Sequence, residues 1–400
     1  MKRAVYIVLL LILISLQAFP KPKRVATIPF RLVGSSIVIE TTINESSPLN
    51  LILDTGVKNT MITEILPEDS VDLPTGDIVQ IRGLGVEDSI RAYQSRKNRL
   101  KMGNLKLQNQ DVLVLLDQII NFSSITGEKI NGILGSDILK EYVVEINYTR
   151  QKIIFYSHNS FTVPGKYARI PAIVAGSKMF INANVTSKNT TSENLVMLLD
   201  TGAEIGAWLQ TIRDDAFALP EKKIHGYIGE GLNGEIHGYY AIVDTLTIGP
   251  YHLRRPIITF PDSMYIADFI VRSSRDGTLG NQVMKRFDSF IDFKTPALYL
   301  KPNRMFAEKF SFNIAGIEMV QNYPFVFEIL VNKVWKNSTA DLKGIKKGDL
   351  ILEVDKQPVF SLKMGEIRKI FETPRKRPLH LVIQRDADVM DFYLDMRSPI

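Results

Sequence analysis

Short apolar runs that stop at a Gly, Asn or Asp turn dominate the chain between residues 25 and 300, and alternation within them predicts strands. Ser36-Ile37-Val38-Ile39-Glu40-Thr41-Thr42, Asp111-Val112-Leu113-Val114-Leu115-Leu116 and Lys152-Ile153-Ile154-Phe155-Tyr156 are examples. Helical spacing there is confined to residues 136–140 and 282–287. The last hundred residues read differently. Ser338 opens a short capped helix closed by Gly344, and a strand (349–354), a helix (364–371) and a strand (379–384) follow.

Two of the apolar runs end alike: Asn50-Leu51-Ile52-Leu53-Asp54-Thr55-Gly56 and Val196-Met197-Leu198-Leu199-Asp200-Thr201-Gly202. A carboxylate closing a buried run is costly unless hydrogen-bonded, and two of them suggest a pair that meets in space. Two acids sharing one proton can act as base and acid together, which is what water attack on a peptide bond requires. The repetition reaches beyond the acids. Gly83 and Gly85 recur 146 residues later as Gly229 and Gly231, and Gly103 as Gly249. Asn131-Gly132-Ile133-Leu134-Gly135 returns 145 residues later as Asp276-Gly277-Thr278-Leu279-Gly280, and Ile146-Asn147-Tyr148 as Ile291-Asp292-Phe293. Two homologous β lobes follow, at residues 25–160 and 161–305, with an unrelated α+β unit at 306–400.

Four hundred residues at 45% hydrophobic content suffice for two or three cores. The net charge of +6 is dispersed and argues against a nucleic-acid partner. Without cysteine there is no disulfide, thiolate metal site or cysteine nucleophile, and five histidines in no zinc spacing leave no metal or cofactor expected. In residues 1–20, Lys2 and Arg3 precede an apolar run too short for a comfortable membrane span. This reads as a cleaved signal peptide, with an uncleaved anchor as the alternative. The expectation is an exported protein, periplasmic, secreted or at the cell surface, touching the membrane only if that segment stays uncleaved.

Asp54-Thr55-Gly56 and Asp200-Thr201-Gly202, each followed about 80 residues later by Ile133-Leu134-Gly135 or Thr278-Leu279-Gly280, resemble the aspartic proteases. The closest resemblance is to bacterial retropepsin-like members with a tandem pair of motifs and a C-terminal PDZ domain. The implied fold is mainly β: two homologous pepsin/retropepsin-like lobes forming a bilobal acid protease, then a small α+β PDZ-like domain. The resemblance implies that Asp54 and Asp200 are catalytic and that Thr55 and Thr201 hydrogen-bond across to the opposite lobe. It implies too that Gly56 and Gly202 let backbone N–H groups approach the carboxylates. Gly83-Leu84-Gly85 and Gly229-Glu230-Gly231 fall where the family has substrate-covering flaps, and glycines suit hairpin tips of positive φ. Leu134-Gly135 and Leu279-Gly280 are expected as buried strands beside the catalytic loops.

Departures from the pattern carry expectations of their own. Val57 and Ala203 replace the serine that donates to the aspartate in pepsin, which predicts higher carboxyl pKa values and a less acidic optimum. Ser136 and Asn281 stand where retroviral proteases have arginine, so the support between lobes must differ. Ala315-Gly316-Ile317 is the expected carboxylate-binding loop of the PDZ domain, in a less Gly-rich form than usual.

The reading is an aspartic endopeptidase acting on peptide or protein substrates, whose PDZ domain recruits a C-terminal peptide or regulates. Two alternatives stay open: a non-catalytic peptide-binding scaffold, and a protease active only as an oligomer.

Overall fold

Leu49, Leu51 and Leu53 are fully buried while Asn50 between them is partly exposed, the pattern of a strand with one face on a core. Each such leucine contributes about 1.5–3 kcal/mol of burial. The computed structural model describes residues 23–400 except 87–88, 118–119, 189, 214–216, 274 and 323–326. The signal-peptide expectation for residues 1–20 lies outside the described residues.

In the first lobe, eight strands among the described residues form one sheet. Their order is Arg31–Val33, Ser36–Ile43, Leu49–Leu53, Gly132–Leu134, Thr60–Ile62, Leu105–Leu115, Ile90–Met102, Ile78–Ile81. The second lobe repeats that order as Ala168–Ala175, Lys178–Ser187, Thr190–Leu199, Gly277–Leu279, Ala207–Leu209, Ile257–Pro261, Gly234–Ile242, Ile224–Gly231. It differs in an eleven-residue helix, Ser263–Ser273, where the sequence pattern placed none. The short helices expected near residues 136 and 282 are Ser136–Leu139 and Asn281–Met284.

The lobes are joined by an antiparallel run of six strands: Arg24–Pro29, Lys152–Tyr156, Val143–Asn147, Phe287–Asp292, Ala297–Pro302 and Ala168–Ala175. Glu145 lies directly opposite Phe290 across its centre. Those two residues are related by the 145-residue offset, so a local two-fold axis passes between them. One hydrophobic cluster runs through both lobes.

The C-terminal sheet runs Ile317–Gln321, Ile329–Val334, Leu350–Val354, Leu379–Arg385, Asp388–Leu394. Helices Thr339–Leu342 and Met364–Phe371 pack on it, the first capped by Ser338 Oγ, which accepts from Asp341 N at 3.2 Å. This unit is not loosely tethered. Tyr240 of the second lobe stacks between Trp335 and Phe312, at centroid distances of 5.0 and 5.7 Å, and Ile257 joins the same buried cluster. Arg368 donates to the Ile125 carbonyl of the first lobe.

Candidate active site

Each aspartate follows a strand whose last residues are fixed on both sides. Leu51, Ile52 and Leu53 run parallel to Gly132, Ile133 and Leu134, and Met197, Leu198 and Leu199 run parallel to Gly277, Thr278 and Leu279. Asp54 N then donates to Leu134 O, and Asp200 N to Leu279 O, both at 3.0 Å. Gly135 and Gly280 sit so close under the neighbouring loop carbonyls that a Cβ would collide, which accounts for glycine at both positions.

Thr55 and Thr201 are fully buried and meet at the two-fold axis. Thr55 Oγ1 donates to Leu199 O at 2.7 Å and accepts from Thr201 N at 3.1 Å. Thr201 Oγ1 donates to Leu53 O at 2.8 Å and accepts from Thr55 N at 3.2 Å. Four bonds thus fix one catalytic loop to the other. Gly56 and Gly202 give room: a Cβ on Gly56 would collide with the Asp200 carboxyl, and one on Gly202 with that of Asp54.

Asp54 Oδ1 accepts from Gly56 N at 2.7 Å and Val57 N at 3.1 Å. Asp200 Oδ1 accepts from Gly202 N at 3.0 Å and Ala203 N at 3.1 Å. The backbone of Val57 and Ala203 therefore donates to the carboxyls even though neither side chain can. The two carboxyls open onto one cavity of about 580 Å³ and hydrogen-bond to each other. Loss of bulk water around them raises both pKa values. The charge of Asp200 raises Asp54 further, whereas Arg275 and the Ala203 N–H act to lower Asp200. The pair therefore titrates as one unit, with protonation favoured in both members. Sharing of one proton is the established behaviour of paired aspartates in acid proteases, not a peculiarity of this chain.

The missing arginine is replaced by direct cross-lobe bonds. Ser136 Oγ donates to Ser177 O at 2.9 Å, and its counterpart Asn281 donates to Ser35 O and accepts from Tyr148 Oη.

Two sequence expectations need correction. The tip of the second-lobe hairpin is Leu232-Asn233, closed by the Gly231–Gly234 pair, so Gly229-Glu230-Gly231 forms its ascending strand. Of the expected flap glycines only Gly85 has positive φ (122°). Gly83 and Gly231 are needed for contact instead: a Cβ on Gly83 would strike Leu232, and one on Gly231 the carbonyl of Leu84. The tips touch over the cavity, where Asn233 N donates to Leu84 O at 2.8 Å and Gly83 N donates to Asn233 Oδ1. Tyr227, five residues before the tip in the chain, donates to Glu230 and faces Lys333 of the C-terminal unit.

The loop Ala315-Gly316-Ile317 turns two of its three N–H groups inward. Ala315 N donates to Phe371 O, Gly316 N to Asn313 Oδ1, and Ile317 is buried in the ladder opposite Val334. Gly316 adopts φ 73° and has Ser338 packed against it.

Sequence reasoning missed Arg275 and Lys178, which line the cavity with Asp200. It missed too that the C-terminal edge strand contributes Ile317, Glu318 and Met319 to the same cavity. An arginine directly before a repeated motif was the available signal for the first.

Residues 39–138 match the family model described as aspartyl protease, and residues 330–385 match that of the PDZ domain. No curated protein matches the chain. Among solved structures, the crystal structure of an aspartic proteinase from Irpex lacteus aligns over 71% of this chain and 98% of its own length, at 15% identity and a TM-score of 0.48. Residues 39–138 are thus an aspartyl protease segment of the retropepsin-like kind, followed at residues 330–385 by a PDZ domain.

Proposed function

We propose that the chain is an aspartic endopeptidase in which Asp54 and Asp200 together activate water against a peptide bond. The observation that carries this reading is the pair itself: two hydrogen-bonded carboxyls, each held by two backbone N–H groups, at the floor of one cavity beneath touching hairpin tips. The ionised member of the pair takes a proton from the water. The protonated member donates to the carbonyl oxygen as the tetrahedral centre forms. Collapse of that centre releases the amine, which takes up a proton, and the pair returns to its one-proton state. The hairpin tips keep bulk water out during the reaction.

The PDZ domain acts in this reading on the substrate cleft. Its edge strand Ile317–Gln321 pairs on one side only among the described residues and lies beside the first-lobe helix Phe122–Thr126, and its residues Ile317, Glu318 and Met319 meet a substrate chain in the cleft. The basic and apolar residues 1–20 support export to a periplasm or cell surface.

Incubation of the protein with an unstructured polypeptide, with the new ends mapped by mass spectrometry, tests the reading. Internal cleavage blocked by a statine-type inhibitor is expected; an intact polypeptide at every pH between about 3 and 8 would refute it.

A further inference from the structure

Arg275 immediately precedes the short segment that supports Asp200, and it is 3% exposed. Its guanidinium carbon stands 4.9 Å from the Trp208 ring, and among the described residues its Nε meets no hydrogen-bond acceptor. Lys178, the first residue of the strand Lys178–Ser187, lines the same cavity. The charge that acts on Arg275 is that of Asp200; those that act on Lys178 are Arg275, Asp200 and Asp54. A pair of aspartates holding one proton carries a single negative charge. Two cations face it, in a cavity whose wider lining also carries Lys58, Arg82 and Arg368 and the acids Glu204, Glu230, Glu318 and Glu372.

The first lobe has neither cation. Val38 pairs with Ile52 as Phe180 pairs with Leu198, so Ser36 holds the place of Lys178. The 145-residue offset sets the buried, apolar Ile130 in the place of Arg275. Carboxyl geometry is nearly the same in both lobes, so holding an aspartate does not by itself call for these cations. A guanidinium stripped of water and short of acceptors is costly, and burial lowers its pKa to about 10, which still leaves it charged. That cost is offset when an anion arrives with the substrate, because hydrogen bonds between ionised groups are the stronger ones.

We propose that Arg275 and Lys178 form a carboxylate-binding subsite on the Asp200 side of the cleft, which selects substrates carrying a carboxylate beside the scissile bond. That carboxylate is an Asp or Glu side chain or the substrate's own terminus. The inference rests on the protease reading above.

Paired peptides tested on the full-length protein decide it: Glu against Gln at each position flanking the cleaved bond, and free-acid against amidated ends. The expected kcat/KM for the carboxylate-bearing member exceeds that of its neutral partner by about tenfold or more. Arg275→Met and Lys178→Met each bring the ratio towards one, and Arg275→Lys, which keeps the charge, retains part of it. The ratio cancels any general loss of activity transmitted through Asp200, and Lys178, which is half-buried, supplies a variant with little risk to folding. A preference sensitive to Gln identifies a side-chain carboxylate, and one sensitive to amidation a terminal one. Equal cleavage of all pairs by an active enzyme overturns the inference and leaves the protease reading standing. No cleavage of any peptide overturns both.

Discussion

Thr55 and Thr201, which stand 146 residues apart, each donate a hydroxyl to a carbonyl in the other's lobe and accept from the other's backbone N–H. The exchange is fully buried, so removing one hydroxyl leaves a donor and an acceptor without partners and without water. Thr55→Val or Thr201→Val is expected to lower stability by about 2–3 kcal/mol in denaturant titration. The double variant costs less than the two single ones added, because each change breaks half of one network.

Stability should depend on pH through the aspartate pair. Both carboxyls bind a proton more tightly in the folded chain than at the ordinary value of 3.8. As pH rises from about that value through the raised ones, the folded state gives up this advantage and stability falls. Asp54→Asn removes one of the two raised carboxyls while keeping the shape. The variant is expected to be more stable than the parent at neutral pH, with the difference shrinking below the ordinary carboxyl range. Thermal melts of both proteins from pH 3 to 8 check this, and a difference that does not change with pH would contradict it.

The hairpin tips offer a matched pair of substitutions. A Cβ on Gly231 would collide with the Leu84 carbonyl, whereas one on Gly229 meets open space. Gly231→Ala is expected to hold the tips apart and raise KM for a peptide by about ten- to a hundredfold. Gly229→Ala is expected to leave it unchanged. Steady-state kinetics on one peptide separates the two.

Trp335 ties the PDZ domain to the base of the same hairpin. It stacks on Tyr240, covers Gly226, and donates from Nε1 to Glu318 at 3.0 Å. Trp335→Ala is expected to cost about 3–5 kcal/mol and to weaken cleavage even of a peptide too short to reach the PDZ domain. A domain acting through recruitment alone would leave short-peptide kinetics unchanged.

The repeat made the centre of the molecule legible. A constant offset in glycines and strand ends survives because both lobes share one strand order, and the order dictates where a carboxyl can be held. What the repeat relates, it also hides. Lys178 and Arg275 break the symmetry, with Ser36 and Ile130 as counterparts, so an argument from repetition points away from them. The flap tip was displaced by a few residues because glycine was read as a need for positive φ. At Gly83 and Gly231 the need is close approach by the opposite lobe, a relation between distant residues that local pattern does not carry. The inward turn of the PDZ loop was not legible for a similar reason. The N–H groups of Ala315 and Gly316 are taken up by Phe371 and Asn313, partners that the spacing of Ala315-Gly316-Ile317 does not announce. Val57 and Ala203 show the reverse case: side chains without donors, yet backbone N–H groups that reach the carboxyls.

The most direct measurement is turnover of one peptide by Asp54→Asn and Asp200→Asn separately, alongside the circular dichroism spectrum of each. If the two carboxyls act as one acid–base unit, each variant loses about 10²–10⁴-fold or more in kcat while its spectrum matches the parent's. Wild-type turnover in either folded variant would contradict the shared site.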